Sequence, residues 1–449
     1  MSTEHWGLRE PPAALAQEWL RAGLWNDETL PQVAAEGLKK SADLKFRVRS
    51  SIRPYAGTIG EVASMGRRLA AALVRRGIGP GDVVALQLPN WSEAAASLYG
   101  LLQLGVVLVP IVHIYGSKEL GHILEQSGAR VLITADRFGR QDFLANLDQL
   151  RNSGALDVLE FIVVVDANGD DPSGLTVPTV RWGQFIGESE ELSELGVVDP
   201  SLPALVGYTS GTTADPKGVV HTHRTFMAEL RQNEAFAASD PIKASPSQTS
   251  ALAASPLSHV TGLMAVIRPL RKRSNVNLLD RWDAKEALDA MVQDQLTLGG
   301  GATFFLTSLL DHPDFRPETH GPLIRFVTLG GAPIPQEAAR RAARHGVTLT
   351  RAYGSTEHPS MTMSLPSDPE PKRLFTDGRL LPGVELLLVD ENGRPVEALV
   401  GGDIRSRGPD LFVGYIDPQL TADALDAEGW FHTGDLGVLD SDGYLTITG

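Results

Sequence analysis

The stretch "YTSGTTADPKG", residues 208–218, is the most informative segment of the sequence for both the fold and the function. It contains four serine or threonine hydroxyls, two glycines and one lysine, Lys217. The apolar residues 204–208, "ALVGY", predict a short strand that leads directly into this loop. A glycine-rich turn after a strand exposes backbone N–H groups to phosphate oxygens, and a lysine adds positive charge. The segment therefore predicts a phosphate-binding loop rather than a flexible polar linker.

The order of residues in this loop excludes the Walker type of phosphate loop. The Walker pattern requires Gly-Lys followed by a serine or threonine, whose hydroxyl binds magnesium. In this chain Pro216 precedes the lysine and Gly218 follows it. The loop must therefore hold its phosphate in another way, with hydroxyls, backbone N–H groups and Lys217 as donors.

The composition is ordinary for a globular enzyme and argues against some partners. A length of 449 residues exceeds one ordinary domain and predicts two or three subdomains. With 40 basic and 55 acidic residues the net charge is −15, which argues against nucleic acid as the main partner. The basic groups at 271–273 and 340–341 are expected to be solvated surface or a patch for an anionic ligand.

Two further features narrow the chemistry and the location. The chain has no cysteine, which excludes disulfides, thiolate metal sites and a cysteine nucleophile. The start, "MSTEHWGLRE", lacks the basic and apolar regions of a signal peptide. The most apolar stretch, 101–114, is interrupted by polar residues and a proline and is too short to span a bilayer. We therefore expect a cytoplasmic protein without a transmembrane segment.

The first half of the chain alternates predicted helices and strands. Thr58 and Glu61 have the spacing of a capping box, and the apolar face behind them predicts a helix that stops at Gly77. Alternation of this kind indicates βαβ units and a mostly parallel sheet. The predicted strands are 82–88, 106–110, 129–134 and 161–165, and the predicted helices between them are 92–104 and 117–126.

The second half changes character after about residue 375, where predicted helices become rare. Before that point the pattern predicts strands at 325–331 and 347–354 around a helix at 336–344. After it, residues 384–396 predict a hairpin around Asn392-Gly393, and the short strands that follow suggest a small β-barrel. Polar stretches rich in proline or glycine predict mobile loops at 166–174, 239–250 and 366–371.

The phosphate loop resembles the signature of the adenylate-forming (ANL) superfamily, although Ala214 replaces the third glycine of that signature. "LGGAPIP" (329–335), "RAYGSTEH" (351–358), "GWFHTGDLG" (429–437) and "SPLSHVTGL" (255–263) resemble further motifs of the superfamily, in the same order. The resemblance extends from about residue 55 to the end. It implies an α/β fold with two interleaved, mostly parallel αβαβα-type subdomains over about 1–365. A small distorted β-barrel over about 375–449 would complete this N-terminal core.

The resemblance also implies roles for individual residues. Tyr353 would stack on adenine, Thr356 would meet the α-phosphate, and Asp435 would bind the ribose hydroxyls. Glu357 would hold Mg²⁺, which is chemically reasonable because carboxylates are its usual protein ligands beside phosphates. His259 would help to place the acid, and "SRGPDLFVGY" (406–415) matches a motif of the β-rich part that is expected to be structural. The matched nucleotide-binding positions are Thr209, Ser210, Gly211, Thr212, Thr213, Lys217, Gly331, Ala332, Pro333, Tyr353, Gly354, Ser355, Thr356 and Asp435.

The implied reaction is the ATP- and Mg²⁺-dependent activation of a carboxylic acid, followed by transfer to coenzyme A. Residues 251–266 contain no acidic side chain that could pair with a substrate ammonium, so an uncharged, fatty or otherwise hydrophobic acid is expected. The glycines at 299–301 could lie along a substrate channel, with Phe304, Phe305 and Leu306 as its lining or as core. An acyl-AMP ligase that loads a carrier protein and a non-catalytic nucleotide-binding relative remain alternatives.

The superfamily also has a mobile C-terminal α+β domain, and the chain stops at Gly449 before any match to it. This leads to the expectation of an N-terminal core that binds nucleotide and is poorly active, since that domain supplies a lysine for the first step and rotates for the second.

Overall fold

The computed structural model describes residues 6–187, 189–209, 215–242, 250–332 and 334–449. None of the helices in these ranges is long and apolar enough to cross a membrane. The helices in the described residues are α1 (Ala13–Arg21), α2 (Leu30–Lys40), α3 (Ile59–Arg75), α4 (Ser92–Leu104), α5 (Ser117–Ser127), α6 (Phe143–Gln149), α7 (Trp182–Gly187), α8 (His223–Ala238), α9 (Val260–Lys272), α10 (Ala284–Asp294), α11 (Thr303–Asp311), α12 (Pro317–His320), α13 (Gln336–Arg344), α14 (Glu370–Phe375) and α15 (Pro418–Ala424).

The strands of the same residues form several sheets. They are β1 (Lys45–Arg49), β2 (Tyr55–Thr58), β3 (Val83–Gln87), β4 (Val107–Pro110), β5 (Val131–Ala135), β6 (Arg137–Phe138), β7 (Gln141–Asp142), β8 (Phe161–Val165), β9 (Thr179–Arg181), β10 (Pro203–Thr209), β11 (Lys217–Thr222), β12 (Ala251–Ala253), β13 (Val276–Leu279), β14 (Thr297–Leu298), β15 (Phe326–Gly330), β16 (Thr348–Tyr353), β17 (Thr362–Met363), β18 (Arg379–Leu380), β19 (Glu385–Val389), β20 (Gly402–Arg407), β21 (Gly414–Tyr415), β22 (Phe431–Leu439) and β23 (Leu445–Ile447).

The largest sheet has eight strands in the order β21-β11-β10-β4-β3-β5-β8-β9. The six strands from β10 to β9 run parallel to one another, which confirms the parallel sheet predicted from the alternating pattern. The other two strands, β11 and β21, add an antiparallel edge beside β10. Strand β11 of this edge directly follows the predicted phosphate loop in the chain.

Helices α3 and α4 cover one face of this sheet and form part of the main core. The Thr58 side chain accepts a hydrogen bond from the Glu61 backbone N–H, so α3 begins with the predicted capping box. The two helices cross with almost no space between their backbones. A methyl group on Gly66 would come within 2.4 Å of the Ala96 carbonyl oxygen. Glycine is therefore required at the crossing.

Two smaller sheets form the second α/β part. One has five strands in the order β14-β12-β13-β1-β2, and the other has four in the order β15-β16-β17-β18. An isolated parallel bridge between Gly301 and Leu329 connects the region after β14 to β15. Strands β15 and β16 are parallel with Gly330 opposite Ala352, so the residues that follow both strands lie at the same edge.

The C-terminal part is a half-barrel of four antiparallel strands in the order β19-β20-β22-β23. The predicted hairpin at 384–396 was only partly right, because β19 pairs along its length with β20. The turn at Gly393, with φ of 73°, returns the chain to a single bridge between Val389 and Pro395. Strand β21 also differs from its assignment to the β-rich part, since it pairs with β11 in the eight-stranded sheet.

The three segments predicted as mobile loops have different outcomes. Residues 166–174 are held by the Asp136 carboxylate, which accepts backbone N–H bonds from Ala167 at 3.0 Å, Asn168 at 2.7 Å and Gly169 at 3.0 Å. Residues 366–371 run into α14, which begins at Glu370. Most of 239–250 lies outside the described residues.

Candidate nucleotide-binding site

Strands β10 and β11 form an antiparallel hairpin that supports the predicted phosphate loop. Thr209 and Lys217 are paired at the end of the hairpin where residues 210–216 connect the two strands. The predicted binding residues between them, which lie outside the described residues, are Ser210, Gly211, Thr212 and Thr213. Helix α5 fixes the descending arm, because His122 Nε2 lies 2.9 Å from the Pro216 carbonyl oxygen and Lys118 pairs with Asp215 at 2.9 Å. The hairpin therefore presents Lys217 from a rigid strand.

The Tyr415 side chain lies between Lys217 and Glu357 and contacts both of them. The Lys217 ammonium is 5.7 Å from the centroid of the Tyr415 ring. The Tyr415 hydroxyl donates a 2.8 Å hydrogen bond to Glu357 Oε1. Burial, and then the charge of Glu357, raises the pKa of Tyr415, so its hydroxyl stays a donor at neutral pH. The segment expected to be merely structural thus supplies a direct partner of a predicted magnesium ligand, which sequence reasoning missed.

The Glu357 carboxylate fits a magnesium ion that is shared with a nucleotide. The part of the chain that the structure describes contains no group of three or more His, Cys, Asp and Glu side chains that could hold a metal. Mg²⁺ beside phosphates needs no such group, because it binds one or two carboxylates and completes its shell with phosphate oxygens and water. Glu357 is 8% exposed and its main-chain oxygen is fixed by the Phe412 N–H at 2.8 Å.

His221 is a second residue that the sequence analysis missed. It lies on β11, four residues after Lys217, and its Nε2 is 2.7 Å from the carbonyl oxygen of Thr356. Burial lowers the pKa of His221, so the ring is neutral at pH 7 and its Nε2–H donates to Thr356. The strand that carries Lys217 therefore also holds the backbone of Thr356.

The predicted adenine and ribose residues come together at the other end of the site. The Tyr353 hydroxyl donates a 2.6 Å hydrogen bond to Asp435 Oδ2, although the two residues are 82 positions apart in the chain. Burial, and then Asp435, raises the pKa of Tyr353. Tyr353 is the last residue of β16, and Gly354 and Ser355 follow it in the same loop as Thr356.

The glycine-rich segment after β15 lies at the same edge as Tyr353. Gly331, with φ of 74°, and Ala332 are exposed just beyond the strand, and Pro333 lies outside the described residues. Ligands of open α/β sheets bind outside the carboxyl ends of parallel strands, and β15 and β16 both end here. The predicted adenine-binding segments are thus neighbours in space.

His259 immediately precedes α9 and its side chain is exposed. Its backbone N–H donates to the Pro256 carbonyl at 2.9 Å. Asn90 braces this segment from the eight-stranded sheet, because its amide donates to Ser255 O and its Oδ1 accepts from the Leu257 N–H at 2.8 Å. Asn90 is buried and was not identified from the sequence.

The predicted acyl lining at 304–306 divides into three environments. Leu306 is buried in the core, Phe305 packs on Trp282 with ring centroids 4.7 Å apart, and Phe304 is 62% exposed. The nearby Gly300, which was predicted to lie along a substrate channel, is in close contact with a backbone segment. That backbone belongs to the protein, since a methyl group on Gly300 would come within 2.5 Å of the Thr328 carbonyl oxygen.

Comparison with known proteins gives consistent matches along most of the chain. A profile of the AMP-binding enzyme family matches residues 50–416. The medium-chain fatty-acid–CoA ligase of Escherichia coli (strain K12) is 32% identical over 430 residues, which are 95% of this chain and 73% of that protein. A 3-[(3aS,4S,7aS)-7a-methyl-1,5-dioxo-octahydro-1H-inden-4-yl]propanoyl:CoA ligase of Mycobacterium tuberculosis (strain ATCC 25618 / H37Rv) is 32% identical over 390 residues, 84% of this chain and 71% of the relative.

The fold agrees with a solved structure of low sequence identity. ATP-bound MatB from Rhodopseudomonas palustris superposes with a TM-score of 0.79 at 24% identity, covering 94% of this chain and 79% of MatB. This likeness bears on the fold, whereas the profile and the two curated relatives bear on the family. The chain belongs to the AMP-binding enzyme family, in the acyl-CoA synthetase branch of the adenylate-forming superfamily.

Proposed function

We propose that this protein uses ATP to activate a hydrophobic carboxylic acid as acyl-AMP and then transfers the acyl group to coenzyme A. The strongest support is a chain of contacts in which Tyr415 lies between Lys217 and Glu357. Glu357 follows β16 in the same loop that begins at Tyr353, and Tyr353 is hydrogen-bonded to Asp435. One end of this site suits phosphates and a divalent cation. The other end suits a nucleoside.

In this proposal the nucleotide extends from Tyr353 to Lys217. Tyr353, Gly331 and Ala332 contact adenine, and Asp435 binds the ribose hydroxyls. The hydroxyls of the phosphate loop and Lys217 bind the β- and γ-phosphates, and Thr356 contacts the α-phosphate. Glu357 would hold Mg²⁺, which when bound would offset the charge of the phosphates.

The first step requires positioning more than acid–base chemistry. A carboxylate oxygen of the substrate attacks the α-phosphorus, and the bond from that phosphorus to the bridging oxygen breaks with its electrons going to pyrophosphate. Lys217 stabilises negative charge that develops on the phosphates, because its ammonium is already in place. In the second step the sulfur of coenzyme A attacks the acyl carbon, AMP leaves, and the thiol proton passes to solvent.

The hydrophobic acid is the part of the proposal that rests on the fewest residues. Residues 251–266 include β12, the His259 segment and the start of α9, and none of them is acidic. A free amino acid would have to bury its ammonium there without a partner, which is costly. The two curated relatives described above are named for a medium-chain fatty acid and for a bicyclic propanoate. We therefore propose fatty or alicyclic acids.

Pyrophosphate exchange tests this function directly. This chain would be incubated with ATP, Mg²⁺, labelled pyrophosphate and a panel of fatty, alicyclic, aromatic and amino acids. Exchange that depends on a hydrophobic acid is expected, and preferential exchange with an α-amino acid would contradict the substrate class. ATP binding without exchange in the presence of any acid of the panel would indicate a non-catalytic nucleotide-binding protein. Mass spectrometry with coenzyme A or a pantetheinylated carrier protein then identifies the acceptor, and coenzyme A is expected.

A further inference from the structure

A fully buried histidine–aspartate hydrogen bond lies next to the predicted magnesium ligand, because His358 follows Glu357 in the chain. The side chains of His358 and Asp410 are both 0% exposed, and His358 Nε2 is 3.1 Å from Asp410 Oδ1. The other ring nitrogen, Nδ1, is 2.9 Å from the Ser406 hydroxyl. Both nitrogens of a histidine next to Glu357 are thus committed to the segment 406–415.

Asp410 also reaches the far side of the same loop. Its Oδ2 accepts the Ser360 backbone N–H at 3.4 Å, and the Ser360 hydroxyl donates to Glu229 Oε1 at 2.9 Å. Within the loop, the Ser355 N–H donates to the His358 carbonyl oxygen at 3.0 Å. Residues 355–360 therefore form a closed turn that is attached at His358 and Ser360 to a single carboxylate.

The His358 ring packs closely on the backbone of Gly408. A methyl group on Gly408 would lie 2.8 Å from His358 Nε2 and 3.3 Å from Asp410 Oδ1. Burying an acidic side chain and an imidazole has a desolvation cost that apolar residues of similar volume would avoid. The position of the His358–Asp410 pair beside Glu357 suggests that the pair fixes local geometry rather than adding stability.

The segments 355–360 and 406–415 meet again at Glu357. The Phe412 N–H donates to the Glu357 carbonyl oxygen at 2.8 Å, and Tyr415 donates to its carboxylate at 2.8 Å. The buried pair fixes the register of the two segments, and that register determines where Tyr415 meets the carboxylate. A small shift at His358 would therefore be transmitted to both groups that hold Glu357.

We propose that His358 and Asp410 are positioning residues that orient the Glu357 carboxylate toward a nucleotide-bound Mg²⁺. This inference rests on the proposed function for the identity of the ligand, and it concerns residues that do not themselves touch the ligand. Partners that orient a metal ligand commonly change metal affinity or activity by about 10- to 100-fold when they are mutated.

Three substitutions test the two hydrogen bonds of the His358 ring one at a time. His358→Gln places an amide nitrogen near the position of Nε2 and can keep the bond to Asp410. His358→Asn places its amide near Nδ1, which keeps Ser406 and loses Asp410. Asp410→Asn keeps the shape of the acceptor and removes its charge. His320→Gln is a matched control, because His320 is also buried and its Nδ1 accepts the Arg316 N–H at 2.9 Å, on α12.

The measurement is the affinity for ATP by calorimetry, with Mg²⁺ and with EDTA, for each variant. His358→Asn and Asp410→Asn are expected to lose about 10- to 100-fold of the Mg²⁺-dependent gain in affinity. The affinity of these two variants for metal-free ATP is expected to change less than about threefold. The Mg²⁺-dependent gain is also expected to change less than about threefold in His358→Gln and in His320→Gln. If Asp410→Asn does not fold, His358→Asn carries the test, because it loses the same hydrogen bond to Asp410, and an unchanged gain in that variant would overturn the proposal.

The outcomes distinguish this inference from the proposed function. An unchanged Mg²⁺ gain in folded Asp410→Asn would overturn it, as would an equal loss of metal-free ATP affinity or an equal loss in His320→Gln. A wild-type chain with no Mg²⁺ gain would also overturn it. A third outcome is that the wild-type chain shows the Mg²⁺ gain and the variants lose it, but none of the acids supports pyrophosphate exchange. This outcome would support the positioning role and refute acid activation.

Discussion

Among individual residues, Lys217 has the most direct expected effect on the reaction. Its ammonium sits at the end of β11, where it can follow charge that moves onto the leaving pyrophosphate. Lys217→Ala is expected to slow pyrophosphate exchange by about 100-fold or more and to weaken ATP binding much less, because the interaction strengthens in the transition state. Lys372→Ala is a matched control, since Lys372 also lies over a tyrosine ring, Tyr444, at 4.9 Å. Equal exchange in the two variants would refute the role of Lys217.

Tyr415 offers a second test at the scale of one atom. Tyr415→Phe removes the hydrogen bond to Glu357 and keeps the ring beside Lys217, so exchange at limiting Mg²⁺ should fall by about 10- to 100-fold. The control is Tyr444→Phe, which removes the hydroxyl of another buried tyrosine. Full activity of Tyr415→Phe across a Mg²⁺ titration would show that this bond does not matter for the metal.

Glu229 gives a prediction about pH. Burial, and then the charge of Asp410, raises the pKa of the Glu229 carboxyl from 4.5 to about 7. Because the unfolded chain loses this proton first, stability should fall as pH rises from about 4.5 to about 7 and then level off. Glu229→Gln should therefore raise the melting temperature relative to wild type at pH 8 and change it little at pH 4.5. Equal shifts at both pH values would contradict the raised pKa.

The residues that sequence reasoning missed share one property. Each of them contacts a partner that is 50 to 167 positions away in the chain, and they are His221, Tyr415, Asp410 and Asn90. The sequence next to each of these residues is consistent with an ordinary structural role and does not indicate the distant contact. The resemblance to family motifs identified Lys217, Glu357, Tyr353 and Asp435 in the sequence. The contacts between these residues could be found only in the folded structure.

At the scale of elements, the loop after β16 depends on a glycine. A methyl group on Gly354 would lie 2.0 Å from the Pro359 carbonyl oxygen, so the two arms of the loop touch. Gly354→Ala should destabilise the protein by about 1–3 kcal/mol, as overpacking does, and should weaken ATP binding because Thr356 and Glu357 move. Gly183→Ala in α7 is the control, since nothing lies within 4 Å of the added methyl group. Unchanged ATP affinity in Gly354→Ala would contradict this account of the loop.

Elements that depend on local pattern were predicted well, and elements that depend on distant pairing were not. Helices at 92–104 and 336–344 and the strand at 161–165 have the predicted bounds, and the left-handed glycines just after the two helices, Gly105 and Gly346, are local stop signals. Strand β21 has two residues, and it exists because β11 is beside it. The hairpin at 384–396 was misjudged for the same reason, since the main partner of β19 comes after the turn.

At the scale of the whole molecule, three distant parts of the chain contribute the residues of the proposed nucleotide site. The hairpin β10–β11 brings Lys217 and His221, the ends of β15 and β16 bring Gly331 and Tyr353, and the C-terminal part brings Tyr415 and Asp435. The N-terminal region is attached to the same assembly, because the Trp25 indole N–H donates to the Pro409 carbonyl at 2.7 Å. The site is therefore a property of the folded chain as a whole.

The central claim, that an acid oxygen attacks the α-phosphorus of ATP at this site, is tested by isotope transfer. The acid identified in the exchange panel would be labelled with oxygen-18 in both carboxyl oxygens and incubated with ATP, Mg²⁺ and coenzyme A. Mass spectrometry of AMP should show one labelled oxygen, because attack at phosphorus keeps the acid oxygen on AMP when the thiol breaks the acyl C–O bond. Unlabelled AMP, or label in ADP or inorganic phosphate, would contradict the claim.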